Sequence, residues 1–237
     1  ELGVNATYDV AEAINIADIL VISIKPQSYH DFAENYADAL KNKNKNKNKD
    51  NICMVISVMA GINIATLAKS FNLENDINII RAMPNKPCMF QAGATGIYSQ
   101  SKLSQIEKDV AEHIFRTLGI VVWVNSEEKI NAIIAISGSS PAYFLYIMEI
   151  MQDVGLDMGL DADTVKALSL QSAFGASKMG LQSGENLASL REQITSKGGT
   201  TDRAIKYFQK NKLPDIIKGA MQAAFDRGVE MEQDNNK

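Results

Sequence analysis

The sequence predicts a doubly wound α/β sheet in its first part and an all-helical second part. Four apolar runs rich in β-branched residues lack polar alternation, as is typical of parallel strands buried on both faces. Helical patterns separate these runs, and from about Ser126 onward only helical patterns follow. Alternating strands and helices indicate a layered α/β domain. We therefore predict domains at residues 1–125 and 126–237.

Each predicted strand is a short run whose neighbours are polar or helical in pattern. Strands of this length and composition suit the interior of a parallel sheet. The four runs are ILVISI (19–24), ICMVISV (52–58), INIIRA (77–82) and IVVWV (120–124).

The segment LSQIEKDVAEHIFRTLG, just before the last strand, has the periodicity of an amphipathic helix. Its predicted apolar stripe consists of Ile106, Val110, Ile114 and Leu118. We expect Gly119 to end the helix as its C′ residue.

The tract KNKNKNKNKD, from Lys41 to Asp50, alternates lysine with asparagine. It has no apolar face to bury, so we predict a solvated, mobile loop. The alternative is a nucleic-acid contact, which we disfavour because no aromatic residues interleave with the lysines and the chain is acidic.

The second part begins with an uncharged run, Ile130 to Met148, which is long enough to raise the question of a membrane span. Because it contains Asn131 and the block SGSSP, we expect two buried helices and a turn, with the second helix starting at Pro141. The next helix is rich in small residues, which favours close helix packing between subunits. Those residues are Ala167, Ser169, Ser172, Ala173, Gly175, Ala176 and Ser177.

The composition favours a protein that binds small molecules and works in a reducing compartment. The net charge is −4 and the pI is near 5.3, so we expect no nucleic-acid partner and no membrane partner. Cys53 and Cys88 form no disulfide framework, which favours a cytoplasmic location. With only two histidines, no cluster has the spacing of metal ligands, and we expect no metal.

Unusual residues stand at the carboxyl ends of the first three predicted strands, where ligands of open parallel sheets bind. Each segment alone reads as an ordinary strand-to-helix turn, but three at one edge favour a dinucleotide crevice. The segments are Ile24-Lys25-Pro26-Gln27, Met59-Ala60-Gly61, and Arg81-Ala82-Met83-Pro84-Asn85-Lys86-Pro87.

The segment TSKGGTTDRA, Thr195 to Ala204, places two glycines and two threonines at the start of a predicted helix. Glycines allow close backbone approach, and a helix start offers free N–H groups to an anion. From these residues alone, the segment is either an anion pocket or an ordinary turn with an N-cap.

Taken together, these motifs resemble the Δ1-pyrroline-5-carboxylate reductases of proline biosynthesis. The matching segments are ADILVISIKPQ, ISVMAGI, RAMPNKP, GATGIYS, SGSSPAYFLYIMEIMQDVGLDMGL and ITSKGGTTDRAI, in the family's order over nearly the whole chain. The resemblance implies a Rossmann-type domain followed by a helical dimerisation domain. It also implies reduction of 1-pyrroline-5-carboxylate to L-proline with NADPH or NADH, by a homodimer or a larger homo-oligomer.

The resemblance also assigns site residues. It implies that Ser196, Gly198, Gly199 and Thr200 bind the substrate carboxylate, while Thr201 contacts the imine as the catalytic residue. The implied active-site wall starts at Ser139 to Pro141 and meets the TSKGGTT segment across the subunit boundary. The implied cofactor residues are Ile24, Lys25, Pro26, Ala60, Gly61, Met83, Pro84 and Asn85.

Three features depart from the family pattern. The family's glycine-rich βαβ unit has no counterpart here, so we expect an N-terminally incomplete dinucleotide domain with doubtful cofactor affinity. Ser140 stands where the family has glycine in SGSGPAY, and local crowding is expected. Lys86 replaces threonine in MPNTP, where it either aids phosphate binding or faces solvent.

The residues also leave other functions open. A β-hydroxyacid dehydrogenase-like enzyme would need a lysine as general acid, and Lys178 is a rough candidate. An imine reductase with another substrate is a second alternative. A third is a non-catalytic helical scaffold, which the missing glycine loop favours.

Overall fold

A computed structural model describes residues 3–45, 54–71, 73 and 78–235. It contains five strands and ten α-helices within that part of the chain. The strands are β1 (Ile19–Ile22), β2 (Met54–Ser57), β3 (Asn78–Met83), β4 (Gly93–Ser99) and β5 (Gly119–Trp123). The helices are α1 (Val10–Ile16), α2 (Tyr29–Lys45), α3 (Ile64–Ser70), α4 (Gln105–Arg116), α5 (Lys129–Ile133), α6 (Ser140–Asp157), α7 (Ala162–Gln182), α8 (Leu187–Gln193), α9 (Thr200–Lys210) and α10 (Leu213–Asn235).

The strands form one sheet in the order β1-β2-β3-β4-β5. β1, β2 and β3 are parallel, as their apolar runs predicted. β4 pairs antiparallel with β3 and parallel with β5. The four predicted strands are confirmed, but β4 was missed, and β5 runs opposite to the first three strands.

Both faces of the sheet are buried at β2 and β3, which explains the lack of polar alternation in those two strands. In the single chain, Val21 of β1 and Ile120 and Val122 of β5 are exposed. On one face, Val55 and Ile79 pack with buried residues of α1, α2 and α3. On the other face, Ile56 and Ile80 pack with Ala111 and Phe115 of α4. The layered α/β architecture is therefore confirmed.

The stripe predicted for α4 is partly wrong. Ile114 packs against the core, but Ile106 is 65% exposed, and the fully buried positions are Ala111 and Phe115. Leu118 also packs against the core as predicted, and the buried face is rotated from the rest of the stripe toward Ala111 and Phe115. The predicted helix stop is also wrong, since α4 ends at Arg116 and Gly119 is the first residue of β5.

The loop predicted at Lys41 to Asp50 is wrong at its beginning. α2 continues to Lys45, because lysine and asparagine extend an established helix without needing an apolar face. The rest of that prediction, from Asn46 onward, lies outside the described residues.

The chain folds as two compact units. The first unit comprises Glu1–Ser139 and Ala223–Lys237, and the second comprises Ser140–Gln222. The α/β sheet and the end of α10 thus belong to the first unit. The domain boundary at 125/126 stays a prediction.

Helix α6 differs from the buried helix that the sequence predicted. It starts at Ser140, next to the expected Pro141, but none of its residues is buried within the chain. Among the described residues, the stretch Lys129–Asp157 has the length and apolar composition that a membrane crossing requires, and 6% of its 18-residue window is buried. The apolar sequence of α6 therefore reflects a surface that this single chain leaves exposed, with Phe144 at 62% and Tyr146 at 63%.

Candidate active site

Three parallel strands end side by side and bring their following loops to one edge of the sheet. The register aligns Ile22 of β1 with Ser57 of β2, and Ser57 with Arg81 of β3. All of the residues predicted to contact a cofactor stand at or just beyond these strand ends: Ile24, Lys25, Pro26, Ala60, Gly61, Met83, Pro84 and Asn85. The structure thus brings them to one edge, which we call the cofactor edge, while their contacts with a cofactor stay a prediction.

Lys25 provides positive charge at the cofactor edge. Pro26 begins the 3-10 turn Pro26–Ser28, and the Ser28 N–H donates to the Lys25 carbonyl oxygen at 2.9 Å. The Lys25 side chain is exposed and forms no ion pair with any residue that the structure describes. Its ammonium is therefore available to an anionic group such as a phosphate.

Gly61, in the loop after β2, is buried beneath the end of α10. Its φ is +75°, a left-handed conformation that favours glycine. A Cβ atom there would lie 2.9 Å from Asn235 Nδ2 and 3.1 Å from Met231 Cβ. The space left by the missing side chain is therefore filled by α10, and the neighbouring Ala60 is the more accessible part of this loop.

Asn85, in the loop after β3, uses its side chain within the protein. Its Nδ2 donates to the Ser137 carbonyl oxygen at 3.0 Å, and its Oδ1 accepts from the Ala94 N–H at 2.9 Å. One amide thereby joins the loop to the start of β4 and to the π-helical turn before α6. Asn85 fixes the shape of the loop, and a cofactor contact would have to come from the surrounding backbone or from Met83 and Pro84.

The predicted substrate loop lies between α8 and α9 in the second unit. Gly198 has a φ of +79°, and Gly199 is the N-cap residue of α9 without a side-chain cap. Thr200 and Thr201 are the first two helical residues, and both are exposed. Because the first N–H groups of a helix have no intrahelical partner, Thr200 and Thr201 present backbone donors with hydroxyl groups beside them.

Two of the predicted backbone donors already have partners inside the loop. The Gly199 N–H donates to the Ser196 carbonyl oxygen at 2.9 Å. The Gly198 N–H donates to Asp202 Oδ2 at 2.9 Å, and Lys206 Nζ lies 2.7 Å from the same oxygen. The Lys206 hydrogen bond and, after it, the Gly198 N–H hold the pKa of Asp202 below its usual value. The predicted donors left for an anion are those of Ser196, Thr200 and Thr201, since the Ser196 carbonyl oxygen is its only group with a partner among the described residues.

Sequence reasoning missed a buried ionic cluster next to the cofactor edge. Arg81 is 0% exposed within β3, and its Nη1 lies 3.1 Å from Glu127 Oε1 and 3.3 Å from Glu232 Oε1. Glu232 Oε2 accepts from Asn131 Nδ2 at 2.8 Å. The only signal in the sequence was a charged residue inside an apolar run, because the partners lie 46 and 151 residues away.

The start of α6 and two lysines complete the set of residues that the sequence singled out. Ser140 is the first residue of α6 and is half-buried, so a side chain is accommodated where the family has glycine. Lys86 and Lys178 are exposed, and neither pairs with an acidic group in the described part of the chain.

Known proteins match this chain over nearly its whole length. A family model described as pyrroline-5-carboxylate reductase dimerisation matches residues 127–231. The pyrroline-5-carboxylate reductase of Pseudomonas aeruginosa is 35% identical over 231 residues, covering 98% of this chain and 81% of that protein. The reductase of Vibrio alginolyticus is 37% identical over 235 residues, with 98% and 82% covered.

Solved structures agree with these relatives. The pyrroline-5-carboxylate reductase of Coxiella burnetii has a TM-score of 0.86 at 36% identity and covers 97% of this chain and 81% of its own. The pyrroline carboxylate reductase of Plasmodium falciparum, solved with NADP bound, has a TM-score of 0.79 at 27% identity, with 94% and 80% covered. The likeness favours this family over the dehydrogenase-like and scaffold alternatives.

Proposed function

The chain belongs to the pyrroline-5-carboxylate reductase family, and on that premise we propose that it reduces 1-pyrroline-5-carboxylate to L-proline with NADPH or NADH. This reaction is the last step of proline biosynthesis. The observation that carries the proposal is the likeness to reductases of this family over nearly the whole chain. Since both the strand-end loops and the glycine-rich segment lie within the matched region, the proposal covers both parts of the site.

The cofactor edge is chemically suited to a dinucleotide. The loops after three parallel strands meet there, as in other open sheets that bind nucleotides. Lys25 supplies an ammonium that forms no ion pair within the described part of the chain, and Pro26, Ala60, Met83 and Pro84 supply half-buried loop surface. We assign Lys25 to the phosphates or ribose and the two later loops to the nicotinamide side.

The substrate carboxylate belongs at the start of α9. Its N-terminal N–H groups and the helix dipole favour an anion there. The N–H groups and hydroxyls of Ser196, Thr200 and Thr201 are the predicted donors without a partner among the described residues, while Gly198 and Gly199 shape the backbone around them. The carboxylate thus replaces water on groups that are already oriented.

The reaction adds hydride to the imine carbon and leaves a secondary amine. A reduced nicotinamide, when bound, supplies the hydride. When the imine nitrogen is neutral, the Thr201 hydroxyl donates a hydrogen bond to it, orients the C=N bond and stabilises the negative charge that develops on nitrogen as hydride adds. When the nitrogen is protonated, its N–H donates to the hydroxyl oxygen, which then orients the bond. No strong protein acid is needed when the nitrogen arrives protonated, which agrees with the lack of an acid in the glycine-rich segment other than Asp202, already paired with Lys206.

We further propose that the enzyme is a cytoplasmic homodimer or a larger homo-oligomer. The matched dimerisation model spans α6 and α7, whose large apolar side chains are exposed in the single chain. Exposed examples are Phe144 at 62%, Leu168 at 57% and Phe174 at 59%. A surface this apolar is buried in the functional protein, and a second copy of the chain offers the matching surface.

A steady-state assay tests the function. Oxidation of NADPH or NADH is followed by absorbance after addition of 1-pyrroline-5-carboxylate, with proline measured as product. The assay uses the 237-residue chain and a version extended at its N-terminus by a glycine-rich βαβ unit. Proline formation by either protein supports the proposal, and activity of the extended protein alone assigns cofactor binding largely to the added unit. No proline from either contradicts the proposal and favours the scaffold or another imine substrate.

Two neighbouring threonines provide a matched pair of variants for the catalytic assignment. Thr201→Val removes the hydroxyl assigned to the imine, and we expect kcat to fall about 100-fold, as for other donors to a reacting group. Thr200→Val keeps the backbone N–H assigned to the carboxylate, so we expect it to raise the substrate KM only a few-fold. Equal effects on kcat from both variants would remove the special role of Thr201.

A further inference from the structure

We propose that Arg81 is a positioning residue, and that its pairing with Glu232 fixes the cofactor edge by holding the end of α10 against it. The inference rests on the proposed function, because it concerns the enzyme's hold on NADPH or NADH. It assigns a role in the reaction to the last turns of α10, which carry no residue predicted to contact a ligand.

Arg81 stands at the base of one loop of the cofactor edge. It is in β3, two residues before Met83, so the Met83-Pro84-Asn85 loop follows it directly. Its side chain is 1% exposed, whereas those of Glu127 and Glu232 are each 19% exposed. A guanidinium this deeply buried requires anionic partners, and both carboxylates approach the same nitrogen, Nη1.

Glu127 connects Arg81 to the loop after β2. Its Oε1, which accepts from Arg81, also accepts from the Ile64 N–H at 2.8 Å. Ile64 is the first residue of α3 and follows Gly61 by three positions. Glu127 Oε1 thereby connects β3, which leads into the loop at Met83, to α3, which follows the loop at Gly61.

Glu232 connects the same guanidinium to α10. It binds Arg81 through Oε1 and Asn131 through Oε2, so it is held at both oxygens. Its neighbours on α10, Met231 and Asn235, are the residues that lie over Gly61. Pairing with Arg81 therefore holds the end of α10 on the loop that contains Ala60 and Gly61.

Two loops of the cofactor edge thus depend on one cluster. If Glu232 loses its charge, Arg81 keeps only Glu127, and the end of α10 loses an ionic contact beside Gly61. The Ala60-Gly61 loop is then covered less firmly, and its spacing from the Met83-Asn85 loop is less well fixed. We expect weaker cofactor binding with little change in the chemical step, since Thr201 and the glycine-rich segment belong to the other unit.

Glu232→Gln is the informative variant, because the amide keeps the shape of the side chain and an oxygen for Asn131. Glu230→Gln is its matched control, since Glu230 lies on the same helix in an exposed pair with Arg227 at 2.9 Å. In whichever of the two assayed proteins is active, we expect Glu232→Gln to raise the cofactor KM about tenfold, with kcat and the KM for 1-pyrroline-5-carboxylate changed less than about twofold. Glu230→Gln should leave all three constants unchanged.

A second readout does not depend on turnover. Hydrogen exchange in the absence of cofactor should be faster in Glu232→Gln than in Glu230→Gln at the Ile64 amide and in residues 229–235. Arg81→Lys keeps the positive charge but loses the planar guanidinium group. It should reproduce the rise in cofactor KM if the protein folds.

The outcomes separate this inference from the proposed function. Absence of reductase activity in both the 237-residue chain and its extended version overturns the proposed function, whatever the exchange data show. An active wild type whose cofactor KM is unaffected by Glu232→Gln, even with a lower melting temperature, overturns the inference and leaves a structural cluster. A raised KM for both cofactor and substrate also overturns it, because the effect would not be confined to the cofactor edge.

Discussion

The two compact units of this chain bury their apolar residues very differently. In the first unit, the sheet has a buried cluster on each face, and residues such as Ile56, Leu67 and Phe71 are fully enclosed. In the second unit, among the described residues, the buried hydrophobic residues are Val165 and Leu190. The first unit therefore completes its core within one chain, while the second leaves an apolar surface exposed, which another copy covers in the assembly that we propose.

The strongest test of this contrast is removal of a core aromatic ring from the first unit. Phe71 is 0% exposed and packs edge-on against Tyr29, with ring centroids 5.9 Å apart, and against Phe32 at 6.0 Å. Phe71→Ala leaves a cavity, so we expect the free energy of unfolding to fall by about 3–5 kcal/mol. Denaturant titration at several protein concentrations measures it, and the loss should not depend on concentration.

Replacing a phenylalanine by alanine in the second unit should weaken the association between copies of the chain. Phe174 in α7 is 59% exposed in the single chain, and we place it in the interface between copies. Phe174→Ala should weaken association by about 1–2 kcal/mol, the usual cost of truncating an aromatic side chain in an interface. Sedimentation across a dilution series measures this shift toward monomer.

Phe71→Ala and Phe174→Ala can each contradict the contrast between the two units. If Phe174→Ala lowered the unfolding free energy equally at all concentrations and left assembly unchanged, Phe174 would be packed within its own unit. The contrast between the units would then be wrong for α7. A Phe71→Ala protein that dissociated without losing monomer stability would contradict the first half of the comparison.

Much of the fold was predictable because strands buried on both faces have a recognisable composition. The runs that became β2 and β3 are of this kind, and those of β1 and β5 share the composition although alternate residues of β5 are exposed. β4 was missed because GATGIYS reads as a loop. In the structure, the missing side chain of Gly96 leaves room for the Ile133 side chain. The direction of β4 and β5 depends on pairing between distant segments, which local pattern does not encode.

The position of the strand-end loops was predictable, but the contacts that connect them were not. Prolines and glycines at the strand ends indicated that these loops meet at one edge of the sheet, while the roles of the site residues stay predictions. No motif indicated that Asn85 would hold Ser137 and Ala94, or that Gly61 would lie under Met231. Such contacts join residues far apart in the chain, so they follow from tertiary packing and not from local pattern.

The smallest expected effect concerns Asp202 in the second unit. Its hydrogen bond with the Gly198 N–H orders the loop before α9, although few residues of that unit are buried. Asp202→Ala leaves the Gly198 N–H without its acceptor, and we expect the KM for 1-pyrroline-5-carboxylate to rise about two- to fivefold, as for loss of a helix cap. Asp202→Asn keeps an acceptor oxygen and should restore most of the affinity. Asp163→Ala, at an exposed first-turn position of α7, is the control and should change nothing.

The pH dependence of that loop follows from the same contact. Since Lys206 and the Gly198 N–H lower the pKa of Asp202, the ionised side chain favours the ordered loop at pH values above the usual carboxyl pKa of about 3.9. This support is lost only as pH falls through the lowered pKa. Asp202 should therefore leave the substrate KM unchanged between about pH 5 and 8, where a free carboxylate is already ionised. A KM that rose between about pH 8 and 5 in the wild type but stayed constant in Asp202→Asn would show that Asp202 titrates within this range, and that Lys206 does not hold it ionised.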